Sequence, residues 1–259
     1  MAKIFITGSS DGVGALTAKA LAGRGHSVYL HARNAQRAAD ARALCPAAQD
    51  VLVADLSSTE ETKTLAGQLS ALGPWDAIVH NAGTNSRQRG AGAEGGLPSL
   101  FAVNTLAPYL LTCLVRPPPR RYLFVSSEMH TAGDGSARML GDSERLMASS
   151  YSDSKLHVVM LGNYFARWFR ARGLDTDVNS CTPGWVPTKL GGFGAPGNIH
   201  DGVATYVLLA LGEGAAAGKT GTYWHWSRER SPKADAASEA KQEQLVETLA
   251  KMTGVRPPE

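Results

Sequence analysis

Short apolar runs alternate with longer amphipathic segments along most of this chain, and that alternation restricts the fold more than any other feature. KIFIT leads into a helical pattern from Val13, and SVYLHA into one around residues 36–44. Runs too short for helices, separated by segments of helix length, mark the β-α rhythm of a parallel sheet covered on both faces. Further runs stand at DVLVADL, WDAIVHNAG, RRYLFVSS, DTDVNSCTPG and GTYWHW, with helical patterns between them at about 58–72, 97–115, 149–172 and 200–212. Seven strands predict a doubly wound α/β sheet. No repeat, linker or shift of composition divides the 259 residues, so residues 1–259 read as a single domain with a C-terminal helix at about 238–253. RPPPRR at 116–121 resembles a linker, yet proline ends the helix before it and launches the next strand. QRGAGAEGG at 88–96 reads as a mobile surface loop.

With 43% hydrophobic residues the chain can bury a sizeable core. Lys and Arg total 26 against 23 for Asp and Glu, scattered along the chain, so no basic block argues for nucleic acid or an anionic membrane. Cys45, Cys113 and Cys181 lie far apart without a C-x-x-C pair, which suits free buried thiols better than disulfides or zinc, and no metal site is legible. No apolar run approaches the roughly 18 residues of a spanning helix. The expected location is cytoplasmic.

After the first run comes TGSSDGVG, with Gly8, Gly12 and Gly14 in the pattern G-x-x-x-G-x-G. Such a turn exposes backbone N–H groups at a helix N-terminus, where a pyrophosphate can sit. Its place between the first strand and first helix is the context that dinucleotide binding requires. Thr7, Gly8, Ser10, Asp11, Gly12, Val13 and Gly14 are the candidate residues there. At the end of the second run, LHARN carries no acid for the ribose hydroxyls, which an NAD-selective site would use. Arg33 stands there instead, a guanidinium suited to the 2′-phosphate of NADP. NADP(H) is therefore the preferred cofactor, with NAD(H) still possible. In ADL, Asp55 is a candidate acceptor for the adenine amino group beside Leu56; a helix cap is its other role.

SSYSDSKLHVV raises a separate question, since Tyr151 and Lys155 fall one turn apart on one helix face. Taken in order, TGSSDGVG, HNAG, FAVNTLAPYLL, LFVSSEMH, YSDSK and CTPGWVPT resemble the classical short-chain dehydrogenase/reductase family over about residues 3–226. SSEMH, the long gap before the tyrosine and the tail KQEQLVETLAKMTGV are most similar to its retinol-dehydrogenase-like branch. The resemblance implies a Rossmann-type fold, a nicotinamide cofactor and a small carbonyl or alcohol substrate. It also implies pairing into a homodimer or homotetramer through the helices near 97–115 and 149–172. The apolar surplus of LHVVMLGNYFARWF points the same way.

Carried over residue by residue, the resemblance implies a catalytic group of Asn104, Ser127, Tyr151 and Lys155, with Ser127 chosen over Ser126. Asn81, Ala82 and Gly83 would pass beside the adenosine ribose. Pro183, Gly184, Val186 and Thr188 would open a flexible segment over the nicotinamide, and Tyr151 and Lys155 would also touch the cofactor. Tyr151 would be the general acid/base, and Lys155 would supply positive charge favouring phenolate. One departure stands out: 23 residues separate Ser127 from Tyr151, more than compact members carry. That insertion is expected to loop out and form part of the substrate mouth. A non-catalytic NADP-sensing regulator is the alternative, but such proteins tend to lose the tyrosine or lysine. An epimerase or dehydratase of the extended branch would need a larger C-terminal domain.

Overall fold

The computed structural model describes residues 1–86, 88 and 96–258. Its strands are β1 (Lys3–Ile6), β2 (Ser27–Ala32), β3 (Asp50–Val53), β4 (Ala77–His80), β5 (Arg121–Val125), β6 (Asp177–Thr182), β7 (Tyr223–His225) and β8 (Arg228–Arg230). They form one sheet in the order β3-β2-β1-β4-β5-β6-β7-β8. All neighbours are parallel except β7 and β8. The sheet thus has eight strands rather than the seven expected. The addition, Arg-Glu-Arg, is a short exposed edge strand with no apolar residue to reveal it.

The helices are α1 (Gly12–Gly23), α2 (Ala35–Leu44), α3 (Thr59–Leu72), α4 (Ser99–Phe101), α5 (Ala107–Leu114), α6 (Ala137–Leu140), α7 (Ser143–Met147), α8 (Tyr151–Ala171), α9 (Ile199–Leu211), α10 (Ala234–Ala237) and α11 (Glu239–Thr253), the last two following the final strand. Two apolar cores separate them. On one face α3, α5, α8 and α11 pack around Phe5, Phe124, Phe165 and Leu249; on the other α1, α2 and α9 pack around Ile4, Leu30, Leu123 and Tyr206. Strand order reverses between β1 and β4, and ligands of such sheets bind in the crevice beyond the strands' C-terminal ends at that point.

Three predicted segments differ in detail. The helix expected over 97–115 is interrupted by a π turn at Ala102–Leu106, which carries Asn104. Only Gln88 and Gly96 of the expected loop at 88–96 fall within the described residues. The insertion after Ser127 does not simply loop out: it forms a 3-10 turn at Glu128–Ala132, then α6 and α7, whose Leu140 and Leu146 are fully buried. It is tied to α8 where Asp134 N–H donates to Asp153 Oδ1 at 2.7 Å, and to α11 where Gln244 Nε2 donates to Ala137 O at 3.0 Å.

The surplus apolar side chains of α8 are covered within the chain. Helix α11 packs along α8, with Arg167 paired to Glu243 at 2.7 Å. Beyond it, the Tyr109 hydroxyl donates to Val255 O at 2.6 Å, and Trp168 Nε1 donates to Pro258 O at 2.8 Å. The surplus no longer calls for a second copy.

Candidate active site

At the end of β1 the chain must turn sharply, and Gly8 does so at φ +60°, where a Cβ would stand 2.8 Å from the Ala82 Cα. The turn is pinned from both neighbouring strands. From β4, Asn81 Nδ2 donates to Thr7 O at 2.8 Å and to Gly8 O at 2.9 Å, while Ala82 N–H donates to Thr7 Oγ1 at 2.9 Å. From β2, His31 Nδ1 accepts the Gly8 N–H at 2.9 Å and Nε2 bonds to Ala54 O at 2.9 Å. Burial holds the His31 pKa down to about 4, so the ring stays neutral and the Nε2–H tautomer fits both bonds.

Asp11 is the N-cap residue of α1, yet its side chain caps nothing. It turns away to pair with Arg37 and, at 3.3 Å, with Lys189. The first-turn N–H groups of α1 therefore face the crevice without a side-chain acceptor, a cradle that fits a pyrophosphate. Thr188 lies across it, its Cγ2 3.4 Å from where a Cβ on Gly12 would stand. Arg33 is exposed and has no ion-pair partner among the described residues. The Asp55 carboxylate is committed locally, accepting from Ser57 N and Oγ at 2.9 and 2.8 Å; the cap of α3 is Ser58. Val13, Leu56 and Val186 are buried, so they offer a ligand backbone rather than side chain. Ser10 and Gly83 are partly exposed at the crevice.

Helix α8 begins with a reciprocal capping box between Ser150 and Asp153, which sets Tyr151 in its first turn and Lys155 one turn on. The two adjacent serines after β5 then diverge. Ser126 is buried, and its hydroxyl donates to Lys155 O at 2.7 Å, tying strand to helix. The Ser127 hydroxyl accepts Met129 N–H at 3.3 Å and lies near the Tyr151 phenol. Burial pushes that phenol's pKa up, and the Ser127 hydroxyl opposes the rise.

Lys155 is buried, donates to Val125 O at 3.1 Å and stands 5.5 Å from the centre of the Tyr151 ring. Burial pushes its pKa down to about 8. The expected tuning of phenol by ammonium is thus reshaped here: Lys155 lies against the ring, and the nearby group that favours phenolate is the Ser127 hydroxyl. Asn104 Oδ1 accepts Thr84 N–H at 2.8 Å, and its Nδ2 donates to Thr84 O at 2.9 Å and Ser154 Oγ at 3.0 Å. A Cβ on Gly83 would stand 3.2 Å from Lys155 Nζ and 3.6 Å from Asn104 Oδ1, so the bare glycine keeps open the space those atoms share.

Sequence reasoning missed His31 and His130. His130 Nδ1–H donates to Ser127 O at 2.7 Å and Nε2 accepts Lys233 N–H at 3.1 Å, joining the serine to a segment a hundred residues away. Single histidines without a motif gave no signal. Trp226 was also missed, although it stands beside Pro183.

The comparisons with known proteins agree with this geometry. The family model of the short chain dehydrogenases matches residues 2–193, and the chain belongs to that family of oxidoreductase enzymes. It is 45% identical to an uncharacterized oxidoreductase, AN7799, of Emericella nidulans, over 100% of this chain and 99% of the other. It is 40% identical to the short-chain dehydrogenase chry4 of Gibberella zeae, again over 100% and 99% of the two chains. Relatives outside this group are distant, such as the polyprenol dehydrogenase of Mus musculus at 29% over 72% of this chain, so the retinol-dehydrogenase-like branch has only distant support. Among solved structures, an uncharacterized protein of Mycobacterium paratuberculosis superposes with a TM-score of 0.78 at 23% identity, over 100% of this chain and 96% of the other. The Pseudomonas aeruginosa RhlG/NADP active-site complex does so at 0.65 and 22%, over 85% and 93%. At these identities the likeness is one of fold. Among the described residues no helix is long and apolar enough to cross a membrane.

Proposed function

We propose that this enzyme transfers hydride between NADP(H) and a small carbonyl or alcohol, with Tyr151 as general acid/base. The observation that carries the reading is the meeting of Ser127, Tyr151 and Lys155 at the end of β5, opposite Asn104 and the bare Gly83. The NADP-bound state of the solved RhlG structure supports the choice of cofactor, as does the unpaired Arg33.

The α1 cradle would hold the pyrophosphate, Arg33 the 2′-phosphate, and Lys155 the nicotinamide ribose. When bound, the nicotinamide supplies or accepts the hydride. During reduction negative charge grows on the substrate oxygen, and Tyr151 gives it a proton while Ser127 holds it by a second hydrogen bond. Burial, which raises the phenol pKa, keeps that proton in place at neutral pH. Oxidation needs the opposite form. The Ser127 hydroxyl then favours phenolate, so the oxidation rate rises with pH while the reduction rate falls as the phenol ionises. Asn104 would hold a water between Lys155 and solvent.

The test is a screen of carbonyl compounds with NADPH, with Tyr151→Phe as the paired variant. Wild type should oxidise NADPH with at least one carbonyl, and the variant should bind NADPH while turning over at least about a hundredfold more slowly. A variant that reduces carbonyls at wild-type rate overturns the mechanism. Wild type that binds NADPH and reduces nothing restores the sensor.

A further inference from the structure

The hairpin joining β7 to β8 turns on Trp226 and Ser227, at φ 49° and 57°. A two-residue turn with both residues left-handed favours Asn-Gly, and a bulky side chain in that region is an outlier. The strain is held by contacts around it. Trp226 Nε1–H donates to Pro183 O at 3.3 Å, the His225 ring lies 4.3 Å away, and Ser227 N–H donates to Thr205 Oγ1 at 2.8 Å. None of these contacts forms the hairpin, which Asn-Gly would close without strain. Retained strain of this kind points to a ligand.

The position of the hairpin agrees. Trp226 Nε1 would lie 2.8 Å from a Cβ on Gly184, so the indole rests on the backbone leaving β6 beside the candidate nicotinamide site. His225, the preceding residue, stands 3.6 Å from the carboxylate of Glu128, the neighbour of Ser127. Beside these contacts Trp226 is 45% exposed, Trp185, which follows Gly184, 62%, and Met129, which follows Glu128, 53%. Single exposed apolar side chains are ordinary; three of them on three segments that meet beside Ser127 mark a binding surface.

Resting on the oxidoreductase reading above, we propose that Trp226 is a specificity-determining residue that stacks a planar aromatic ring of the substrate next to the reacting carbonyl carbon. The chemical class is an aryl ketone or the matching aryl alcohol. An indole face prefers a flat π-system over a saturated ring of equal size. Trp185 and Met129 extend the same rim on either side of the reactive group.

The probes are acetophenone and cyclohexyl methyl ketone, equal in size and different in planarity, on the NADPH-saturated protein. Wild type should show a KM about three- to tenfold lower for acetophenone. Trp226→Phe should keep the preference. The double variant Trp226→Asn, Ser227→Gly should erase it while its melting temperature holds or rises, which a merely structural tryptophan would not do. Equal KM values in wild type, or a preference that survives the double variant, overturns the proposal. Where no ketone turns over, saturation-transfer NMR on NADPH-loaded Tyr151→Phe compares binding of the two probes. Preference for acetophenone there supports the aromatic site and counts against the reductase reading alone; equal binding overturns the aromatic site.

Discussion

The two rims of the crevice are built in opposite ways. On the cofactor side, the turn after β1 is pinned by polar groups at the ends of the two strands that flank it: Asn81 and Ala82 just past β4 and His31 in β2 each bond the stretch Thr7–Gly8. On the substrate side, loop segments meet one another: Ser127 accepts from His130, which accepts from Lys233, and Trp226 donates to Pro183. The first rim is closed and polar, the second open and aromatic. The contrast teaches that one rim is built to hold a polar ligand in a fixed place, and the other offers apolar side chains to whatever lies beside Ser127 and Tyr151.

Four measurements would break or sharpen that contrast. The largest effect concerns Lys155, where the two rims meet. Its pKa is pushed by burial from 10.5 down to about 8, so the unfolded chain binds more protons than the native one between those values. Wild-type stability relative to Lys155→Met should therefore rise with pH from 8 to 10.5, by on the order of 3 kcal/mol. A flat difference in paired denaturant titrations would show that the ammonium is not desolvated.

Next is Arg33→Ala, which acts on the closed rim alone. Loss of a charge-assisted contact costs roughly 1.5–3 kcal/mol, so NADPH should bind about ten- to a hundredfold more weakly and NADH nearly as before. Calorimetric titration of both cofactors decides it, and a parallel loss for NADH would remove Arg33 from the 2′-phosphate. The smallest effect lies far from both rims. Tyr109→Phe removes the hydrogen bond to Val255 O and should cost about 1 kcal/mol in thermal unfolding. Because α11 and the residues after it already cover α8, wild type should sediment as a monomer at micromolar concentration; a dimer would show that these helices pair despite the tail.

The same division explains what the sequence disclosed. The seven parallel strands and the TGSSDGVG turn were legible because apolar periodicity and glycine spacing are local properties. Tyr151 and Lys155 were legible because four residues on a helix define a distance. The eighth strand was not, since Arg-Glu-Arg pairs through backbone alone. Nor was the π turn at Asn104, whose residues carry no breaker. The insertion's packing was hidden because Leu140 and Leu146 find their partners in α11, about a hundred residues later. Trp226 was read only as the end of an apolar run, since nothing in a Trp-Ser pair signals a left-handed turn.

The stretch from Trp185 to Lys189 borders both rims at once. Thr188 and Lys189 rest on the glycine turn at Gly12 and Asp11, while Trp185 stands exposed next to Gly184, on which Trp226 lies. One loop thus keeps the schedule of the whole cycle. Whatever lies under its inner edge has to arrive before the loop settles and depart after it lifts. The enzyme should then obey a compulsory order, nucleotide in first and out last, and steady-state product-inhibition patterns would carry the signature of a single loop serving as timekeeper for two guests.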